Sequence, residues 1–119
     1  MMAGLLTPGQ ALNVNAVALR HEQVPADQVA KGAPSTGLHD LGTFGGLKLG
    51  IWEMSEGGMY DVEMDEVFLV TSGRATVTLH GETVTSSLEL SPGSLIRLAA
   101  GMRTTWIVQE PLRKLYLAP

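Results

Sequence analysis

The sequence contains no cysteine. That excludes disulfides, a thiolate nucleophile, thiolate zinc sites and iron–sulfur ligation together, and it suits a reducing compartment. Charge is also scarce: Asp, Glu, Lys and Arg make up 17% of the 119 residues, and the net charge is −4. The eight Lys and Arg form no basic run, so no nucleic-acid partner is expected, because phosphate binding needs a clustered basic footprint. No apolar stretch approaches the ~20 residues that span a bilayer, so no membrane partner is expected either. Met1-Met2-Ala3-Gly4-Leu5-Leu6 lacks the basic region that opens a secretory signal, and the expected location is cytoplasmic. The three histidines, His21, His39 and His80, stand at no mutual metal-ligand spacing. No Ser-His-Asp arrangement, phosphate-binding loop or dinucleotide fingerprint is present.

What the sequence does have is apolar residues and glycine. Hydrophobic residues make up 45% of the chain, enough for the core of one domain and unlike a disordered segment. Fourteen glycines, well above the usual ~7%, predict many tight turns and an all-β fold. From Leu47 onward short β-rich runs alternate with turn signals. Strands are predicted at Leu47–Met54, Glu66–Ser72, Arg74–His80, Thr83–Leu90, Ser94–Leu98, Arg103–Gln109 and Leu112–Leu117. Breaks fall at Gly57-Gly58, Gly73, His80-Gly81-Glu82, Ser91-Pro92-Gly93, Gly101 and Glu110-Pro111. This spacing belongs to a sandwich or small barrel. Residues 1–45 carry mixed signals: a short strand near Leu12–Leu19, one helical turn started by Pro25, and a loop over Gly32–Gly37. They read as an N-terminal arm packing on a barrel of residues 46–119.

Several motifs resemble those of the cupins. Glu66, six residues and then Gly73 match the end of the first cupin motif. Pro92-Gly93, five residues and then Ala99-Ala100-Gly101 match the frame of the second. Gly50-Ile51-Trp52-Glu53, Gly101-Met102-Arg103-Thr104-Thr105-Trp106 and Arg113-Lys114-Leu115-Tyr116 look like the small cupin branch that includes the ureidoglycine aminohydrolases and ethanolamine-utilisation protein Q. The resemblance covers about residues 28–117. It implies an antiparallel cupin-type β-barrel (a double-stranded β-helix or jelly roll) with a site inside. Many cupins hold a divalent metal through two His and a Glu of the first motif and a His of the second. Here the first-motif His positions fall on Tyr60 and Val62, or with a four-residue gap on Met59 and Asp61, and the second-motif His position falls on Thr104. Of the four ligands only Glu66 remains, so no standard metal cofactor is expected.

Strict alternation places Tyr60, Val62, Met64, Glu66, Phe68 and Val70 on one face, which the resemblance turns toward the barrel interior. Glu66 is then a carboxylate among apolar side chains, where desolvation raises its proton affinity toward the range useful in catalysis. Glu66 and Tyr60 are the candidate catalytic pair. Val62, Phe68, Thr104, Trp106 and Glu53 are candidate ligand contacts. Trp106 equally suits a core position, and Glu53 equally suits an ion pair with Arg97, Arg103 or Arg113. Asp61, Glu63 and Asp65 fall on the opposite face, read as solvated.

Three functions remain open on this reading. The first is binding of a small polar metabolite in the barrel, with metal-independent acid/base chemistry by Glu66. The second is a metal-dependent cupin enzyme using Glu66 with Asp61, Glu53 or a histidine of the arm. The third is a non-catalytic dimeric accessory protein. A homodimer is expected in each case, since the chain is apolar for its size.

Overall fold

A computed structural model describes residues 4–119; Met1 to Ala3, part of the segment read above for a secretory signal, lie outside them. Nine strands follow in order: β1 (His21–Gln23), β2 (Val29–Lys31), β3 (Ser35–Phe44), β4 (Leu47–Met54), β5 (Gly57–Val62), β6 (Glu66–His80), β7 (Thr85–Leu90), β8 (Leu95–Leu98) and β9 (Arg103–Ala118). All pairings are antiparallel, and all nine strands belong to one curled sheet with the order β1-β3-β4-β9-β5-β2 plus a branch through β6. The all-β expectation holds. Among the described residues no helix is long and apolar enough to cross a membrane.

β9 is the spine. Its first half pairs with β5 and its second with β4, while β6 runs along its whole length. The sequence predicts breaks at Gly73 and Glu110-Pro111, but the chain passes both points as continuous bent strands. The register between β6 and β9 shifts three times between Val70 and Ala75, and the bend is taken up there. Gly73 lies in this bend at φ +90°, and a Cβ on it would land on the Pro111 carbonyl. It is thus a bulge glycine rather than a strand terminator. Pro111 costs no continuity because a proline is tolerated where the ladder is already irregular.

The first 45 residues are less of an arm than the composition suggests. The change near residue 45 falls in the turn of the β3–β4 hairpin, where Phe44 pairs with Leu47. Residues 35–44 are therefore a full strand of the sheet, and β2 adds to its other side against β5. The turn predicted after Pro25 is present as a 3₁₀ turn over Ala26–Gln28. The strand considered near Leu12–Leu19 is replaced by a 3₁₀ turn over Val14–Ala16, capped by the Asn13 side chain.

The core lies between the two halves of the curled sheet. It contains Met54, Met59, Phe68, Val70, Ala75, Val77, Leu90, Leu98, Trp106, Val108 and Leu112, with Val24 closing one side. Inward positions on β9 keep one parity from Thr104 through Trp106, Val108 and Leu112. On β6 they switch from Phe68 and Val70 to Ala75 and Val77, as the register shifts require.

Candidate functional site

The site is set by where β5 gives way to β6. β5 ends at Val62 and β6 starts at Glu66, so Glu63–Asp65 are a short connection rather than a continuing strand. The Glu63 N–H donates to the Met102 carbonyl at 2.8 Å, and the Gly101 N–H donates to the Glu63 carbonyl at 2.9 Å. This clamp shifts the side-chain phase by one residue. Met59, Asp61 and Glu63 turn inward before it; Glu66, Phe68 and Val70 turn inward after it. The expectation of one uninterrupted face is therefore corrected. Tyr60 is 51% exposed and Val62 62% exposed, and both border a separate hollow of about 530 Å³, lined mostly by exposed side chains such as His80 and Arg103 but also by Asp61 and the buried Thr104. Conversely Glu63, read as solvated, is only 5% exposed.

Glu63 is buried because it is well supplied with donors. Its Oε2 accepts from the Thr104 hydroxyl at 2.6 Å and from the Trp106 indole N–H at 3.0 Å. That indole N–H also reaches the Thr104 hydroxyl oxygen at 3.0 Å. Thr104 and Trp106, placed on a common inner face by the sequence, do share it, and Trp106 serves the core and the cavity at once.

The residue that sequence reasoning missed is Lys114. Its side chain is only 6% exposed, and its Nζ lies 2.7 Å from Glu66 Oε1. The ammonium sits 4.2 Å from the centroid of Phe68, 4.7 Å from Trp52 and 5.1 Å from Trp106. A cation taken out of water needs such compensation from a carboxylate and from ring faces. The contact with Glu66 is an ion pair without the alignment of a hydrogen bond, so Glu66 Oε1 is buried with no directed donor. The signal for Lys114 was parity: carried through Pro111 from Thr104 and Trp106, it gives Leu112, Lys114 and Tyr116 as inward. Splitting β9 at Pro111 hid it.

These groups border a cavity of about 290 Å³ whose walls include Trp52, Asp61, Glu63, Glu66, Trp106 and Lys114. Burial and the neighbouring Glu63 raise the proton affinity of the Asp61 carboxyl above its ordinary value. Burial, with Asp40 and Glu66 nearby, likewise raises that of the Tyr116 hydroxyl. Asp65 also borders the cavity, but it is exposed, and its Oδ1 accepts from the Ala100 N–H at 3.0 Å.

Glu53, a candidate ligand contact, faces away from the cavity. Its Oε2 accepts from Arg113 Nε at 2.6 Å, and its Oε1 is 2.8 Å from His21 Nε2. The same Arg113 donates to the carbonyls of Val14 and Val17 at 2.8 and 2.6 Å. Glu53 and His21 thus fasten the N-terminal segment on the outer face and do not join Glu66. The other histidines are remote as well: His80 contacts Thr105, and His39 contacts the Gly4 carbonyl.

The donors present do not fit the divalent ion that many cupins carry. Among the described residues no three His, Asp or Glu side chains are disposed around a common point to hold one. Inward positions of the metal frame are filled by Met59, Asp61 and Thr104. Glu63 Oε2 is occupied by two donors, and an ammonium already lies against Glu66.

The sequence model of the EutQ-like cupin domain matches residues 41–116. Among solved structures, the Clostridium difficile EutQ protein superposes with a TM-score of 0.67 at 19% identity, covering 91% of this chain and 84% of that one. A cupin superfamily protein from Desulfitobacterium hafniense superposes at 0.64 and 11% identity, covering 99% and 96%. A putative ethanolamine utilization protein Q from Salmonella typhimurium superposes at 0.60 and 15% identity, covering 86% and 97%. No curated protein sequence matches. At these identities the structural likeness speaks for the fold alone, a cupin-type barrel. With the family's motif matched across most of the chain, this protein belongs to the EutQ-like cupin domain family.

Proposed function

We propose that this protein binds a small polar metabolite in the barrel and that any reaction there is metal-independent proton transfer by Glu66. The observation that carries this reading is the buried Glu66–Lys114 pair at 2.7 Å on the wall of the cavity. A carboxylate can exchange one proton with a bound ligand, and an adjacent ammonium stabilises negative charge developing on a neighbouring ligand oxygen. Tyr60 faces the wrong way to assist, so the partner role passes to Lys114. The carboxylates on the cavity walls, Asp61, Glu63, Asp65 and Glu66, outnumber the lysines, Lys48 and Lys114, which disfavours an anion and favours a neutral or cationic ligand. Trp52 and Trp106 offer ring faces to its apolar part.

The test is a thermal-shift screen of small polar metabolites against wild type and Glu66→Gln. A ligand at 100 times its Kd stabilises the folded state by about 2.7 kcal/mol. Neutral or cationic hits that weaken at least tenfold in Glu66→Gln, with any turnover surviving chelators, support the reading. Hits indifferent to Glu66, or turnover abolished by chelation and restored by metal, overturn it.

A further inference from the structure

The lysine in the cavity and the missing imidazoles are two sides of one arrangement. In many cupins the frame positions of the two motifs supply the ligands of a divalent cation. In this chain the side chains at that frame carry no imidazole: Met59, Asp61 and Thr104 occupy it with Glu66. A positive charge nevertheless lies against Glu66, the one frame ligand that remains, because Lys114 reaches it from β9. It is not a surface lysine with its end in water. Its side chain is 94% buried (6% exposed) and boxed by Phe68, Trp52 and Trp106. The ring centroids of Trp52 and Trp106 lie 5.8 Å apart, as do those of Phe68 and Trp106, so the rings that box the ammonium also pack on one another.

We propose that the Lys114 ammonium is a built-in cation that takes the place of the divalent metal in this barrel, and that it offers its remaining N–H donors to an acceptor oxygen of the ligand. An ammonium has three donors. Among the described residues Nζ has one ion partner, Glu66, and no hydrogen bond. The other donors therefore have capacity to spare beside the cavity. Asp61 and Glu63 flank this position, so the acceptor is a neutral carbonyl, amide or hydroxyl oxygen rather than a second full anion. A fixed ammonium holds such an oxygen and offsets charge developing on it, with no exchangeable ion to lose.

The inference deepens the function proposed above and rests on it for the ligand, but its central claim needs no ligand to test. The probe is Mn²⁺ alone, added to chelator-stripped protein and read by thermal shift and calorimetry. Wild type is expected to show no shift. Lys114→Met, which leaves Glu66 buried without its counter-charge, is expected to be less stable, to regain several degrees in millimolar Mn²⁺, and to bind it at least tenfold more tightly than wild type. Lys114→Met/Glu66→Gln is expected to lose that gain, and Lys114→Arg, which keeps a cation, to stay indifferent. If Lys114→Met is not recovered folded, Lys114→Gln takes its arm. Stoichiometric Mn²⁺ binding by wild type that Glu66→Gln removes overturns the proposal, as does a Lys114 variant lacking the cation that ignores Mn²⁺. A failed metabolite screen with these metal results intact would instead count against the proposed function alone.

Discussion

At the scale of single residues, the buried carboxylates are held by different means, and each makes its own prediction. Glu63 relies on neutral donors, Thr104 and Trp106. Thr104→Val keeps the shape and deletes one donor, leaving a charged oxygen short of a partner at a position 1% exposed. The expected loss is about 1–3 kcal/mol in denaturant unfolding, with Thr104→Ser nearer wild type because the hydroxyl stays. Asp61 is held against its own charge: burial and Glu63 raise its proton affinity in the folded state. The folded chain therefore binds more protons at this group than the unfolded one just above pH ~4, and stability contributed by its neutral form is lost as pH rises through that window. Asp61→Asn mimics the neutral form. Its melting temperature should exceed wild type at pH 7, and the gap should close below pH ~4; a gap that widens on acidification would contradict this account.

At the scale of elements, the long bent strands β6 and β9 decide the geometry. Their paired bend brings Thr104 and Trp106 from one half of β9 and Lys114 and Tyr116 from the other onto the same inner surface. Gly73 makes the bend possible, since its φ of +90° and its approach to the Pro111 carbonyl both exclude a side chain. Gly73→Ala should cost about 1–3 kcal/mol, measured by unfolding. The effect should also reach the cavity, visible as altered Trp52 and Trp106 fluorescence. An exposed turn glycine such as Gly45, where a Cβ meets nothing within 4 Å, should show the smaller cost of its positive φ and leave the fluorescence alone.

At the scale of the whole molecule, Arg113 ties the N-terminal segment to the sheet. It is buried and joins Glu53 on β4 to the carbonyls of Val14 and Val17, while Glu53 also meets His21 on β1. Arg113→Gln should cost about 3 kcal/mol, the lower end for a broken buried pair, because Glu53 keeps about a fifth of its side chain exposed. Limited proteolysis should then cut first within residues 5–20, while the rest of the barrel persists. Leu38 and Phe44 on β3, Val84 just before β7 and Leu95 on β8 are large apolar side chains left exposed, and self-association would cover any of them that meet a second copy. The expected homodimer is tested by sedimentation at tens of micromolar; a strict monomer would refute it.

Composition and local pattern were enough to determine the all-β class, the strand Leu47–Met54, the strands read at Thr83–Leu90 and Ser94–Leu98 to within two residues of their observed starts, the turn at Pro92-Gly93 and the common face of Thr104 and Trp106. These depend on neighbours close in sequence: alternation, turn chemistry and motif spacing act over a few residues. Only the tertiary structure decided the rest. Residues 35–44 became a strand because β4 and β1 supply their partners from either side. Tyr60 and Val62 turned out, and Asp61 and Glu63 in, because the turn at Ala99–Met102 clamps Glu63 from forty residues away. Lys114 entered the cavity because β6 holds β9 as one strand across Pro111. Side-chain phase is a local property only until a bulge or a connection resets it. Where the resets fall is set by hydrogen bonds to distant strands, which a linear reading of residues does not contain.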